Sequence, residues 1–252
     1  MSLRHTPDGI AYDRVLKGDP TIIFLHDSLG CIEMWGDFPR KLGERTGCGV
    51  VAYDRQGYGM SRPFSYEQRE MDYMEAEADI LVDLLDHWGV DRAVLFGHSD
   101  GGSIALIAGA KFPSRIWGIV TEGAHIFVEG VTVEGIEKAA ELYGKGDLKT
   151  KLERSHGEKT DEMFWAWADT WTAGWFRDWN IERYLPSVEC PSLIIQGEED
   201  EYGTLAQVER TVALTKGPSR ELIIPGVRHT PHREAPDLVL RETARFLDLC
   251  FG

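Results

Sequence analysis

Residues 92–112 read RAVLFGHSDGGSIALIAGAKF. The run AVLF is apolar without alternation, as in a strand buried on both faces, and GGSIALIAGAKF carries the pattern of a helix that starts directly afterwards. Between them stands Gly97-His98-Ser99-Asp100-Gly101, a match to G-x-S-x-G. That pentapeptide recurs by chance, and a glycine-rich turn that binds nothing would also carry it. Its setting between a strand and a helix gives it meaning. There it marks a nucleophile elbow, a sharp turn that lifts the serine hydroxyl clear of the sheet, with glycines where a Cβ would strike neighbouring elements.

Outward from the elbow, short apolar runs alternate with helical patterns, the signature of a mostly parallel sheet covered by helices. Strands are expected at Gly9–Leu16, Thr21–His26, Gly49–Tyr53, Ala93–Gly97, Ile116–Thr121, Leu193–Gln196 and Glu221–Ile224. Helices are expected at Met34–Arg45, Met71–Trp88, Gly102–Phe112, Leu205–Thr215 and Pro236–Leu249. The rhythm breaks between His125 and Ser187, where the pattern is helical throughout. Here Phe164, Trp165, Trp167, Trp171, Trp175, Phe176 and Trp179 crowd together. A helical insertion over 125–187 in a core built from 1–124 and 188–252 is expected. The stripe Phe164, Trp167, Trp171, Trp175 glues this insertion to the core, and Trp167, Trp171 and Trp175 are candidates to line a pocket at the junction.

The 252 residues, 42% hydrophobic and 27% charged, exclude a disordered, collagenous or disulfide-scaffold chain. With 27 basic against 42 acidic residues the formal charge is −15, which argues against nucleic acid or an anionic membrane as partner. No apolar run reaches the ~20 residues of a membrane span, and MSLRHTPDGIAYD shows no secretory signal. Cys31, Cys48, Cys190 and Cys250 are scattered and read as reduced thiols, so the expected location is cytoplasmic.

Serine needs a base to take its proton. Among eight histidines, His5 is terminal, His87 and His156 sit in exposed-looking helices, and His98 flanks the elbow. His229 instead follows the last strand in ELIIPGVRHTPHREAPD, ahead of the final helix, at the carboxyl edge where α/β sheets gather active residues. His232 is its competitor. As metal ligands the pair would need further partners, and none cluster with them, so no metal or other cofactor is expected. LIIQGEEDEYG presents Glu198, Glu199, Asp200 and Glu201 after another strand. Asp200, where the loop should turn back over the sheet, is expected to orient His229, with Glu199 second. For the oxyanion, the donors expected are the Asp100 backbone N–H and, from the loop in FLHDSLG, the Ser28 backbone N–H, with Leu29 as the neighbour that could replace it.

Elbow, oxyanion loop, acid and base in the order Ser99, Asp200, His229 resemble the α/β-hydrolase superfamily over nearly the whole chain. Asp54-Arg55-Gln56-Gly57-Tyr58-Gly59-Met60-Ser61 is also similar to that family's D-x-x-G-x-G-x-S turn. The resemblance implies an eight-stranded sheet with a helical cap after the sixth strand. The chain departs from the pattern twice: Asp27 replaces the usual glycine of the oxyanion loop, and Asp100 stands where an apolar residue is common. A carboxylate beside the serine disfavours an anionic acyl group unless it pairs, for example with an arginine.

The function expected is a cofactor-free serine hydrolase acting on a small-molecule ester, lactone or thioester with an apolar or aromatic acyl group. Leu29 and the cap tryptophans would line its pocket, and a homodimer is left open. Lys138–Lys159, with six basic and four acidic residues, reads as a solvated face or as a dock for a phosphate-bearing tail such as coenzyme A. Two rivals remain. A carbon–carbon hydrolase of ring-cleavage products would need a cationic anchor for a substrate carboxylate, and a non-catalytic small-molecule receptor could keep the fold.

Overall fold

The computed structural model describes residues 2–66 and 68–251. Eight strands, β1 Leu3–His5, β2 Ala11–Leu16, β3 Thr21–Leu25, β4 Gly49–Tyr53, β5 Ala93–His98, β6 Ile116–Glu122, β7 Ser192–Gly197 and β8 Ser219–Ile224, form one sheet in the order β1-β2-β4-β3-β5-β6-β7-β8. β1 and β2 run antiparallel to their neighbours and the other contacts are parallel. The seven runs expected from sequence are all strands, with ends shifted by up to two residues. β1, which reads Leu-Arg-His and is exposed throughout, has no apolar signature and escaped the reading.

Nine helices occur among the described residues: α1 Phe38–Thr46, α2 Tyr73–Trp88, α3 Asp100–Lys111, α4 Gly130–Lys145, α5 Leu148–His156, α6 Thr160–Thr172, α7 Ala206–Leu214, α8 Pro231–Glu234 and α9 Pro236–Phe251. The helix expected from Met34 is divided. Ile32–Trp35 is a 3₁₀ turn, the chain reverses at Gly36 (φ 59°), and α1 then starts with Pro39 in its first turn. Strand residues alternate between two cores. Ile23, Leu25, Val51, Tyr53 and Leu95 pack with α2 and α3, while Ile22, Phe24, Val50, Ala52, Val94 and Phe96 pack with α1 and α9. Two fully lined faces explain why these strands read as unbroken apolar runs.

Between β6 and β7 the chain is helical, carrying α4, α5 and α6. Its two ends are clasped together where Phe127 pairs with Asn180 and the Ile181 N–H donates to the Ile126 carbonyl at 2.8 Å. Register sets the strand ends level. Leu25 lies beside Gly97, Gly97 beside Thr121, Glu122 beside Ile195 and Gly197 beside Ile224. The loops leaving β3, β5, β6, β7 and β8 therefore emerge at one edge. No helix among the described residues is long and apolar enough to cross a membrane.

Candidate active site

At the turn from β5 into α3, Ser99 has φ 52° and ψ −118°, and it is the one non-glycine residue with positive φ among the described residues. Such a backbone costs on the order of 1–3 kcal/mol and persists only where its surroundings hold it. Those surroundings include Gly101, where a Cβ would strike the Leu25 carbonyl of the adjacent strand. The Ser99 N–H donates to the Glu122 carbonyl at 2.8 Å, and the Ser99 carbonyl receives the Gly102 N–H at 2.8 Å. α3 begins at Asp100, two residues earlier than expected, because the elbow itself is the helix N-terminus.

Ser99 and His229 line one cavity of about 60 Å³, together with Asp27, Ser28, Leu29, Asp100, His125, Thr132, Ile136, Trp167, Trp171 and Tyr202. The His229 Nδ1–H donates to both Asp200 carboxylate oxygens at 2.9 Å. Burial would raise the Asp200 carboxyl, but the His229 ring and further hydrogen bonds, one from the Tyr202 N–H at 2.9 Å, hold it below the usual carboxylate range. Glu198 and Glu199 are exposed, and the Glu199 N–H is tied to the Val227 carbonyl at 2.9 Å, so neither reaches the ring. Among the described residues the Ser99 hydroxyl and His229 ring share the cavity without a direct hydrogen bond. Such contacts are commonly long without substrate and close when it binds.

His232, the competing base, is buried elsewhere, with Nδ1 on Glu122 Oε2 at 2.7 Å, and does not line the cavity. His156 corrects an expectation: it is buried, not exposed. One ring nitrogen accepts the Gly59 N–H and the other donates to the Leu29 carbonyl, each at 3.0 Å. Beside it, Lys159 donates to the Tyr58 and Ser61 carbonyls and to the Gly59 carbonyl at 2.6 Å. The turn after β4 is thus an anchor for the helices between β6 and β7. Two more lysines of the basic island are paired locally, Lys149 with Asp161 and Lys151 with Asp147, both at 2.7 Å.

Trp167 and Trp171 face the cavity as the stripe suggested, and Trp175 does not. α6 ends at Thr172, so Trp175 falls in a 3₁₀ turn off the helical spacing and stands 40% exposed. In the loop after β3, the candidate oxyanion loop, the Leu29 N–H leans on the Asp27 carboxylate at 3.4 Å, whereas the Ser28 and Asp100 N–H groups donate to no protein acceptor among the described residues. That favours Ser28 over Leu29 as the second donor.

Several contributors were not foreseen. His98 lies against Asp27 (3.8 Å), and its Nε2–H donates to the His229 carbonyl at 2.8 Å. Burial would lower the His98 pKa, but Asp27 and Glu122 outweigh it and raise it to about 9. Gly123 (φ 54°) packs where a Cβ would stand 2.9 Å from the His229 ring. The Asp100 carboxylate turns to Arg55 (3.6 Å), Arg69 (3.9 Å) and the Tyr73 hydroxyl (3.1 Å), which in turn accepts the Trp171 indole N–H at 3.1 Å. Both arginines are buried beside the Asp100 carboxylate, and no Lys or Arg lines the cavity among the described residues.

The Alpha/beta hydrolase family matches residues 22–242 of the chain. Human serine hydrolase BPHL is 32% identical over 238 residues, covering 90% of this chain and 78% of its own. A 2-hydroxy-6-oxononadienedioate/2-hydroxy-6-oxononatrienedioate hydrolase of Burkholderia vietnamiensis is 24% identical, covering 77% of this chain and 75% of its own. Among solved structures, one described with the carboxylesterases of the thaumarchaeon Nitrososphaera gargenis superposes with a TM-score of 0.78 at 18% identity, covering 99% and 98% of the two chains.

Proposed function

Since the chain belongs to the alpha/beta hydrolase family and is a hydrolase, we propose that it cleaves a carboxylic ester, lactone or thioester with an apolar or aromatic acyl group through an acyl-enzyme on Ser99. The observation that carries this is the His229 ring, clamped through Nδ1 on Asp200 while it lines the cavity that holds strained Ser99. In the proposed cycle the Ser99 hydroxyl attacks the substrate carbonyl as His229 Nε2 takes its proton. The carbonyl oxygen becomes an oxyanion facing the Ser28 and Asp100 N–H groups. Collapse expels the alcohol or thiol, which receives the proton from His229. A water then surrenders a proton to His229, attacks the acyl carbon, and releases the acid with the Ser99 hydroxyl restored. Asp200 keeps the ring in the tautomer with Nδ1 protonated and stabilises its cationic form.

Ile136, Trp167 and Trp171 supply the apolar wall for the acyl group. In this reading 125–187 is the cap over a core made of 1–124 and 188–252, seated on the core through His156 and Lys159. A substrate carrying a free carboxylate on its acyl part meets Asp27 and Asp100 at the cavity and no facing cation, which ranks ring-cleavage carbon–carbon hydrolysis second.

Stopped-flow hydrolysis of p-nitrophenyl acetate, butyrate and benzoate tests the proposal. A burst of nitrophenol is expected with the wild type and none with Ser99→Ala, whose fold should be retained. Full activity in Ser99→Ala, or wild type that turns over none of these esters, would reject it.

A further inference from the structure

We infer that Arg55 is the positioning residue of the oxyanion hole, setting both of its arms at once. The inference rests on the acyl-enzyme reading above. One nitrogen of its guanidinium, Nη2, donates to the Asp27 carbonyl at 3.0 Å and lies 3.6 Å from the Asp100 carboxylate. The first contact acts on the Ser28 arm. Asp27 C=O and Ser28 N–H are opposite ends of one planar peptide, so pinning the oxygen fixes the direction of the N–H. The second acts on the other arm, because Asp100 supplies the remaining N–H.

The surroundings leave that peptide little freedom. The Asp27 carbonyl also accepts the His26 Nδ1–H at 2.7 Å and the Gly30 N–H at 3.3 Å. The His26 tautomer is set by Arg55 as well: the Arg55 N–H donates to His26 Nε2 at 3.0 Å, leaving the proton on Nδ1 to face the carbonyl. Arg55 therefore reaches the Asp27 carbonyl twice, directly and through His26. Its side chain is 1% exposed and lies over the Tyr58 ring, with the centroid 4.7 Å away, so it has no alternative seat in solvent. A cation at the oxygen end draws electron density from the peptide and makes the N–H a stronger donor. The same charge offsets the Asp100 carboxylate, which would otherwise oppose an anion forming one residue away.

Arginine suits this place because its planar, always charged guanidinium lies over the Tyr58 ring while a single nitrogen faces both oxygens, an arrangement a lysine ammonium does not reproduce. Arg55→Gln should lower the acylation rate constant by about 10- to 100-fold, below the ~10²–10³ lost when an oxyanion donor is removed outright. Arg55→Lys should recover part of it. Affinity for an arylboronic acid, whose tetrahedral adduct on Ser99 carries an oxygen into the hole, should fall by a similar factor. Affinity for an unreactive ether analogue of the same ester should not change. Equal weakening of boronate and ether would show a structural role only, and unchanged acylation and boronate affinity would show none; either overturns the inference while the hydrolase reading stands. A wild type with neither burst nor boronate binding would take both down. Should Arg55→Gln fail to fold, a crystal structure of the wild-type boronate adduct decides. Its oxygen should meet the Ser28 and Asp100 N–H groups with Arg55 on the Asp27 carbonyl. Contact with the Leu29 N–H, or Arg55 turned from that carbonyl, would overturn the assignment.

Discussion

Asp27 brings a carboxylate into the cavity that Ser99 lines, and His98 meets it from the end of β5. The His98 pKa of about 9 lies above the ordinary 6.5, so the stability this pair contributes is complete below pH 6.5 and lost as pH rises through about 9. The wild-type melting temperature should fall across that window. In Asp27→Asn the fall should flatten, since the partner that holds the proton on His98 is gone. An unchanged slope in Asp27→Asn would place the titration elsewhere. The contact between His229 and Asp200 makes a second expectation at this scale. Asp200→Asn should lower the acylation rate by about 10⁴-fold, because the amide favours the wrong ring tautomer. A near-wild-type rate would remove Asp200 from that role. Ser99, Asp200 and His229 were legible as candidates because each follows a strand end in a fixed chain order. His98, Arg55 and Gly123 were not, since their parts depend on contacts across the sheet edge. His98 meets a carbonyl 131 positions away, and only the folded register brings the two together.

Strands were the more legible elements, and their two-sided burial is the reason: β3, β5 and β7 carry their environment in their composition. β1 carries none, being an exposed edge paired through backbone groups with β2. Helix α6 shows how far periodicity reaches. It aligned Trp167 with Trp171 correctly and then overran the helix end at Thr172, carrying Trp175 into an inference it does not support. The difference can be measured through acyl-chain preference. Trp171→Phe should shift the ratio of kcat/KM values from acetyl toward larger acyl groups, as it trims the cavity wall and drops the indole N–H bond to Tyr73. Trp175→Phe should leave the ratio unchanged. A shift of equal size in both would mean that the helical segment 125–187 acts through its stability and not through the wall.

At the scale of the whole molecule, the charge of −15 surrounds a site that itself holds Asp27, Asp100 and Asp200. Association of an anionic ester with such a surface is slowed by its field, and salt relieves the effect. For p-nitrophenyl hemisuccinate, kcat/KM should rise severalfold between about 10 mM and about 200 mM salt, while the neutral butyrate stays level. A flat response for both would mean that the field does not reach the mouth of the site. Composition alone made this property legible, although it could not say that Arg55 and Arg69 neutralise Asp100 from behind. The elbow sets a different limit on the molecule as a whole. Its φ of 52° is one a glycine adopts freely, so Ser99→Gly relieves strain in the same stroke that removes the proposed nucleophile. Laboratory evolution that rewards heat tolerance alone would therefore drift toward robust, inert descendants, and only a screen that also demands turnover would keep the serine.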